Sequence, residues 1–270
     1  MTVPSPLISA DSPLSVAVPA VAERIAALLR SPSDMAVPIP GAQWTVGEAA
    51  AHLMLANALM ADLAAGRERS YGDGTPGGLA AANTASLEAF TERDPAILAA
   101  GIVRHARAFT DTAPSMEPGA QLATPMGPMD LGHLGAYLLA HMLGHGYDIA
   151  VALRRPHMVS PQRALLTVPF LMTAMPRVVE PRTAAGHTAC YDLRLRGGPR
   201  FTATFTDGAL AVTDAPPRRP DCTIVTEPVT FLLIALGRRT TTSALARGAI
   251  LAWGRRPWLA PRFPTLFTAP

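Results

Sequence analysis

The hydrophobic period of this chain is helical throughout its first half and mixed in its second, and that change restricts it to a helical half followed by a mixed one. Before residue 155 apolar side chains recur every three or four positions, as one face of an α-helix requires. After residue 189 they alternate, or cluster with β-branched and aromatic residues, as strands require. Residues 15–30 place Val16, Val18, Val21, Ile25, Leu28 and Leu29 at helical spacing, and the proline-bearing MAVPIPGAQ stops that helix near Arg30. Trp44 precedes Thr45-Val46-Gly47-Glu48, where the threonine hydroxyl can accept a free amide while the glutamate reaches back. This capping box predicts a helix to about Ala65. Residues 79–92 and 95–111 read as two more helices. The segment 113–129, with four prolines and two glycines, is predicted to be a connecting loop. Asp130 is the expected N-cap of a helix reaching Leu153, with Arg154 and Arg155 at its negative end. An up-down bundle is the economical arrangement of these helices.

Beyond Pro156 the pattern predicts a helix over about Pro161–Val179. Strands follow at CYDLRLRG, FTATFTDGALAV and CTIVT (222–226), with Asp207-Gly208 as a hairpin turn. Residues 227–247 return to helix, 250–254 read as strand, and the tail ends in a short helix. The expected class is α+β, a four-helix bundle followed by a smaller α+β domain, divided into an extension 1–14, a bundle 15–155 and a second domain 156–270. With 49% apolar and 16% charged residues, neither disorder nor a coiled coil fits. There is no lysine, and the arginines, including four scattered adjacent pairs (154-155, 218-219, 238-239 and 255-256), form no helix-long stripe and have no interleaved aromatics, so no nucleic-acid partner is expected. There is no uncharged apolar run long enough for a membrane span, and no secretion-type start, which predicts a cytoplasmic protein without a membrane partner. Cys190 and Cys222 lie in strand-like segments and read as packed thiols.

The chemistry-bearing residues are histidines. His141 and His145 are four apart in LLAHMLGHGYDIA, so their rings lie one turn apart on one helix face and can grip one ion. Such a pair also occurs as ordinary core or surface histidines. Asp148, three residues on, is either an acceptor that orients His145 or a plain polar helix residue. His52 sits inside an alanine-rich apolar helix, where burying a polar ring carries a cost unless it is partnered. Together His52, His141 and His145 form the candidate metal set, while His105, His157 and His187 read as structural or solvated.

Trp44-Thr45-Val46, Ala51-His52-Leu53 and His141-x-x-x-His145-x-x-Asp148-Ile149 together resemble the N-terminal domain of the mycothiol-dependent maleylpyruvate isomerase family, part of the wider DinB-like group of four-helix-bundle metalloproteins. Residues 185–267, through TSALARGAILAWGRRPWLAPRFPTLF, are more faintly similar to the sterol-carrier-like C-terminal domain of that family. The resemblance implies a divalent ion, with zinc expected, and mycothiol as nucleophile or cofactor acting on a small electrophilic substrate. It also implies Asp148 and Arg238 in catalysis, and Asn83, Arg238 and Arg239 at the thiol. His141 stands where the isomerase has glutamate, a departure that favours thiol transfer over the isomerisation itself. Two rivals remain open: a carrier of a lipid or hydrophobic intermediate, and a thiol-independent metal-dependent hydrolase or cyclase. A monomer or homodimer is expected.

Overall fold

In a computed structural model of the chain, the described residues are 8–9, 11–31, 34–67, 69–112 and 119–268. Most of the expected N-terminal extension and residues 113–118 of the expected loop lie outside them. The chain divides into two compact units, the boundary falling between Val159 and Ser160.

The first unit is helical: α1 (Pro13–Arg30), α2 (Val46–Ala64), α3 (Leu79–Ala89), α4 (Pro95–Thr112) and α5 (Leu131–Ala152). The predicted caps are present. Glu48 N–H donates to Thr45 Oγ1 at 3.3 Å and Thr45 N–H to Glu48 Oε2 at 2.7 Å, so two otherwise orphaned donors at the start of α2 are satisfied reciprocally. Asp130 accepts the His133 amide at 2.9 Å and opens α5. Residues 119–129 are not featureless, because Leu122 and Met129 exchange backbone hydrogen bonds of 2.8 and 3.1 Å.

The bundle is not the expected up-down one. Helices α1 and α2 each pack against α4 and α5, which places α1 diagonally from α2. Leu14 meets Gly135 and Ile25 meets Gly146, so α1 and α5 run parallel. Met54 lies against Gly101 and Asn57 donates to the Ile102 carbonyl at 3.2 Å, while Gly47 faces Arg93; α2 and α4 therefore also run parallel. Glu23 pairs with Arg107 whereas Arg30 lies beside Ala100, which makes α1 antiparallel to α4. The direction is thus up-down-down-up. The physical cause is the long connection 65–94, which includes α3 and returns the chain to the end where α2 began. Glycines at 101, 135 and 146 let the backbones approach, since a Cβ there would strike Met54, Leu14 or Met158. The core is filled by Val18, Val21, Ile25, Leu53, Met60, Leu98, Ile102, Phe109, Leu134 and Leu139, all essentially inaccessible to water.

The second unit carries a five-stranded sheet of β1 (Ala189–Leu195), β2 (Arg200–Thr206), β3 (Ala209–Thr213), β4 (Cys222–Thr226) and β5 (Ile250–Trp253), in the order β3-β2-β1-β4-β5. Only the β1–β4 pair is parallel. Asp207 (φ 48°) and Gly208 (φ 84°) make the predicted two-residue turn between β2 and β3, with both residues in the left-handed region that such hairpins require. One face of the sheet is packed with Tyr191, Leu193, Phe201, Phe205, Ile224 and Phe263. Cys222 belongs to that core, while Cys190 points to the opposite face; both are free thiols. The single helix expected over 161–179 is instead α6 (Pro161–Leu166), α7 (Val168–Ala174) and a 3-10 turn (Met175–Val178). Pro169 and Pro176 explain the breaks, each lacking the amide that would continue the preceding turn. Helix α8 (Pro181–Ala184) leads into β1; α9 (Pro228–Ala235) and α10 (Thr241–Ala246) lie between β4 and β5; the expected terminal helix is two 3-10 turns. None of the described helices is long and apolar enough to cross a membrane.

Candidate metal centre

Helix α2 contributes His52 and helix α5 contributes His141 and His145, and the packing of these two helices brings the three rings together. One ligand atom from each lies within 4.8 Å of the others. His52 Nε2 is 2.9 Å from His141 Nε2, and the three ring centroids are 4.6 to 5.0 Å apart. The three imidazoles are a donor set suited to a tetrahedral ion, whose nitrogens at about 2.0–2.1 Å from zinc stand about 3.3 Å from one another. The 2.9 Å pair would open slightly and the wider spacing, up to 4.8 Å, would close for all three to hold one ion. His52 is 4% exposed. Burial, reinforced by the neighbouring His145, holds its pKa well below the usual imidazole value. The neutral ring that results is the form that binds metals. Three neutral ligands would leave a divalent ion its full charge, which a carboxylate ligand would halve.

Side chains around the rings fix their attitude. Trp44, immediately before the α2 cap, lies 4.8 Å from the His52 ring and 5.6 Å from the His145 ring, closing one side of the cluster with an apolar plate. Asp148 follows His145 by three residues, and its Oδ2 stands 3.5 Å from His145 Nδ1. At that distance the two are near neighbours without a hydrogen bond between them. Tyr137, one turn before His141, presents its ring edge-on to that imidazole at 6.3 Å. Its hydroxyl is pushed well above the ordinary phenol range by burial, and Tyr71 adds to the shift.

The remaining predicted site residues are placed differently. Asn83 is on α3 and accepts a 2.7 Å hydrogen bond from the Tyr71 hydroxyl, which ties α3 to the glycine-rich loop. Arg238 and Arg239 belong to the second unit, at the end of α9; the Arg238 guanidinium donates to the Leu236 carbonyl and that of Arg239 to Thr230 Oγ1 at 2.8 Å. Of the other histidines, His105 is at hydrogen-bond distance from its neighbour Arg104, His157 rests on Tyr147, and His187 bonds the Tyr191 hydroxyl at 3.0 Å. Tyr71, which interacts with Tyr137, escaped sequence reasoning as a site residue, because it sits in a loop whose composition carries no such signal. His133, which helical spacing puts toward the N-terminus on the face of His141 and His145, pairs with Asp130 at 2.9 Å.

Residues 18–150 match the family described as the mycothiol maleylpyruvate isomerase N-terminal domain, so the match holds all three histidines and spans just under half of the chain. No curated protein matches the sequence. Among solved structures, a mycothiol-dependent maleylpyruvate isomerase is 12% identical, with 86% of this chain and 92% of that one covered at a TM-score of 0.45. A histidine-to-alanine variant of such an isomerase is likewise 12% identical, with coverages of 90% and 93% and a TM-score of 0.48. An inverting sec-alkylsulfatase of Pseudomonas sp. is 13% identical over 52% of this chain, with a TM-score of 0.33. This chain spans only about a quarter of the alkylsulfatase's length. All three scores fall below 0.5, and only the sequence match bears on the family of residues 18–150.

Proposed function

Since residues 18–150 belong to the mycothiol maleylpyruvate isomerase N-terminal domain family, we propose that this chain is a metal-dependent enzyme using mycothiol as nucleophile or cofactor on a small electrophilic substrate. The observation that carries the reading is the convergence of His52, His141 and His145 within 4.8 Å inside that domain. These three side chains would hold the ion, with zinc the expected one and a fourth position left for an exogenous ligand. A bound divalent ion supplies Lewis acidity, which keeps a thiol deprotonated at neutral pH.

The protein's own residues supply orientation and exclusion of water. Asp148, 3.5 Å from His145 Nδ1, would orient that ring by closing to a hydrogen bond, and Trp44 covers His52 and His145 on one side. In thiol transfer the sulfur would form a C–S bond to the electrophilic carbon while the leaving group departs with its bonding pair and the thiol proton passes to solvent. In isomerisation the same sulfur would add to an unsaturated carbon and leave again after bond rotation, so the thiol is regenerated. The all-histidine donor set favours transfer, because a more strongly charged ion makes a better-ionised thiol. Arg238 is assigned to a carboxylate of the thiol or substrate, with Arg239 and Asn83 also placed at the thiol; for these three the support is the family resemblance alone.

The test pairs metal content with thiol-dependent turnover. Protein purified without a histidine tag should hold near one equivalent of ion, and mass spectrometry should detect a mycothiol adduct of a model electrophile such as a bimane above background. Metal without thiol dependence would instead favour a hydrolase or cyclase. Absence of both would favour a carrier role, against which stands the filling of the sheet's inner face by Tyr191, Phe201, Phe205 and Phe263.

A further inference from the structure

The face of the sheet opposite its aromatic core carries a charge arrangement that packing alone does not call for. Successive residues of a strand point to opposite faces, so with Tyr191, Leu193 and Phe201 in the core, Asp192, Arg194 and Arg200 lie on the other side. Arg194 and Arg200 are direct partners in the β1–β2 register. Like charges so placed repel, and the residue that offsets this is Asp192, whose side chain is wholly buried. Its Oδ2 accepts from Arg194 Nε at 2.9 Å, Arg194 Nη2 at 2.7 Å and Arg200 Nη2 at 2.9 Å, and its Oδ1 from Arg200 Nε at 2.6 Å. The Thr223 hydroxyl adds a longer bond to Oδ2, at 3.4 Å. One carboxylate thus fixes two guanidinium groups and balances only one of their two charges.

Asp192 occupies the Nε–Nη2 fork of each arginine. A guanidinium has N–H groups on both sides of that fork, so the Nη1–Nη2 end of each remains to meet a second acceptor, on side chains that are 41% exposed. Beside them the register runs from Arg194 through Val225 to Leu251, and in the next row from Asp192 through Thr223 to Trp253. Leu251 and Trp253 are 50% and 46% exposed, and Arg194 Cζ stands 5.8 Å from the centre of the Trp253 ring. An uncompensated positive charge with its donors held in place therefore adjoins an exposed flat apolar surface. We propose that this face of the sheet binds a small organic oxyanion, a carboxylate or a phosphate carried on a flat apolar body. The head is held by the outer ends of Arg194 and Arg200, and the body lies on Trp253 and Leu251. Because Asp192 already orders both arginines, binding does not have to immobilise them, and the second anion brings two guanidinium groups and two anions into balance. The site lies wholly within the second unit, so it goes beyond the proposed function and does not depend on it.

Calorimetric titration of the full chain with phenyl phosphate, phenylacetate, inorganic phosphate and phenol tests this. At least one of the two aryl oxyanions should bind with a Kd of about 1 mM or tighter, and the tighter of them identifies the head group; phenol, which has the ring without the charge, should give no measurable binding. Arg200→Gln leaves Arg194 to pair with Asp192 and should weaken that aryl oxyanion about tenfold or more, the scale of hydrogen bonds to a charged group. Should R200Q fail to fold, Arg200→Lys, which keeps the charge and loses the fork, takes its place with an expected loss of about threefold. Trp253→Ala should weaken the aryl oxyanion about three- to tenfold and change inorganic phosphate by less than about twofold. His52→Ala should bind the aryl oxyanion as the wild type does. A wild type that binds neither aryl oxyanion, a substituted Arg200 that leaves affinity unchanged, or binding lost in H52A overturns the inference, and in each case the proposed function stands.

Discussion

Zinc should stabilise this protein through His52 more than through any other single side chain. His52 is the sole α2 donor of the cluster, and it reaches His141 across 89 residues of sequence, so an ion held by all three rings clips two bundle helices together. At a free zinc concentration of a hundred times Kd, binding only to the folded state adds about 2.7 kcal/mol. For a unit of this size that is about 5–11 °C in Tm, at roughly 2–4 °C per kcal/mol. In His52→Ala the ion keeps only two donors, one turn apart on a single helix. If Kd rises a hundredfold, the same zinc concentration equals Kd and the gain falls to about 0.4 kcal/mol, or roughly 1–2 °C. Truncating a buried imidazole also changes the metal-free stability, losing packing while relieving a desolvated polar ring. The measured quantity is therefore the zinc-dependent increment of each protein, obtained by scanning calorimetry with zinc and with chelator. His157→Ala, whose ring rests on Tyr147 outside the cluster, serves as control and should keep the full increment. An H52A increment within a degree or two of the wild type would refute the three-histidine site.

Other consequences follow from the same contacts. Asp148→Asn removes the charge beside His145 Nδ1 and should weaken zinc affinity by about 10–100-fold, measured by chelator competition, with little effect on unfolding of the metal-free protein. Asp192 is wholly buried and is gripped by Arg194 and Arg200 at 2.6 to 2.9 Å, whereas both arginine side chains are 41% exposed. Asp192→Ala should therefore cost about 2 kcal/mol in urea unfolding, less than the roughly 3–5 kcal/mol of a fully buried pair, because the guanidinium groups keep access to water. Zinc binding should be unaffected by it. Burial, with Arg262 adding to it, lowers the pKa of His187 in the folded chain, so below about pH 6.5 the unfolded chain takes up the proton more readily. The stability contributed by neutral His187 is complete above that pH and is lost as pH falls toward the folded value. In chelator, His187→Gln should flatten the unfolding free energy between about pH 6.5 and 5; an unchanged slope would show that His187 does not contribute to it.

Much of the local architecture was legible from the chain alone, for reasons that act over four or five residues. The Thr45–Glu48 box, the Asp130 cap and the Asp207-Gly208 turn each satisfy neighbouring backbone groups, so their spacing suffices to place them. The His141–His145 pair is visible for the same reason, since residues four apart must share a helix face. Pro169 and Pro176 are equally legible, and by removing two amides they break the single helix that the apolar period alone predicts. Tertiary structure decided what no spacing encodes. The connection 65–94 sends α4 parallel to α2, and the resulting up-down-down-up packing sets α2 against α5, placing His52 beside two histidines far along the chain. Packing also decided the state of each imidazole: His52 buried and held neutral, His187 bonded to Tyr191, His133 turned to Asp130 with its other nitrogen unsatisfied. A sequence fixes which faces a helix can offer; which face meets which, and how dry the junction is, depends on the burial of the whole unit.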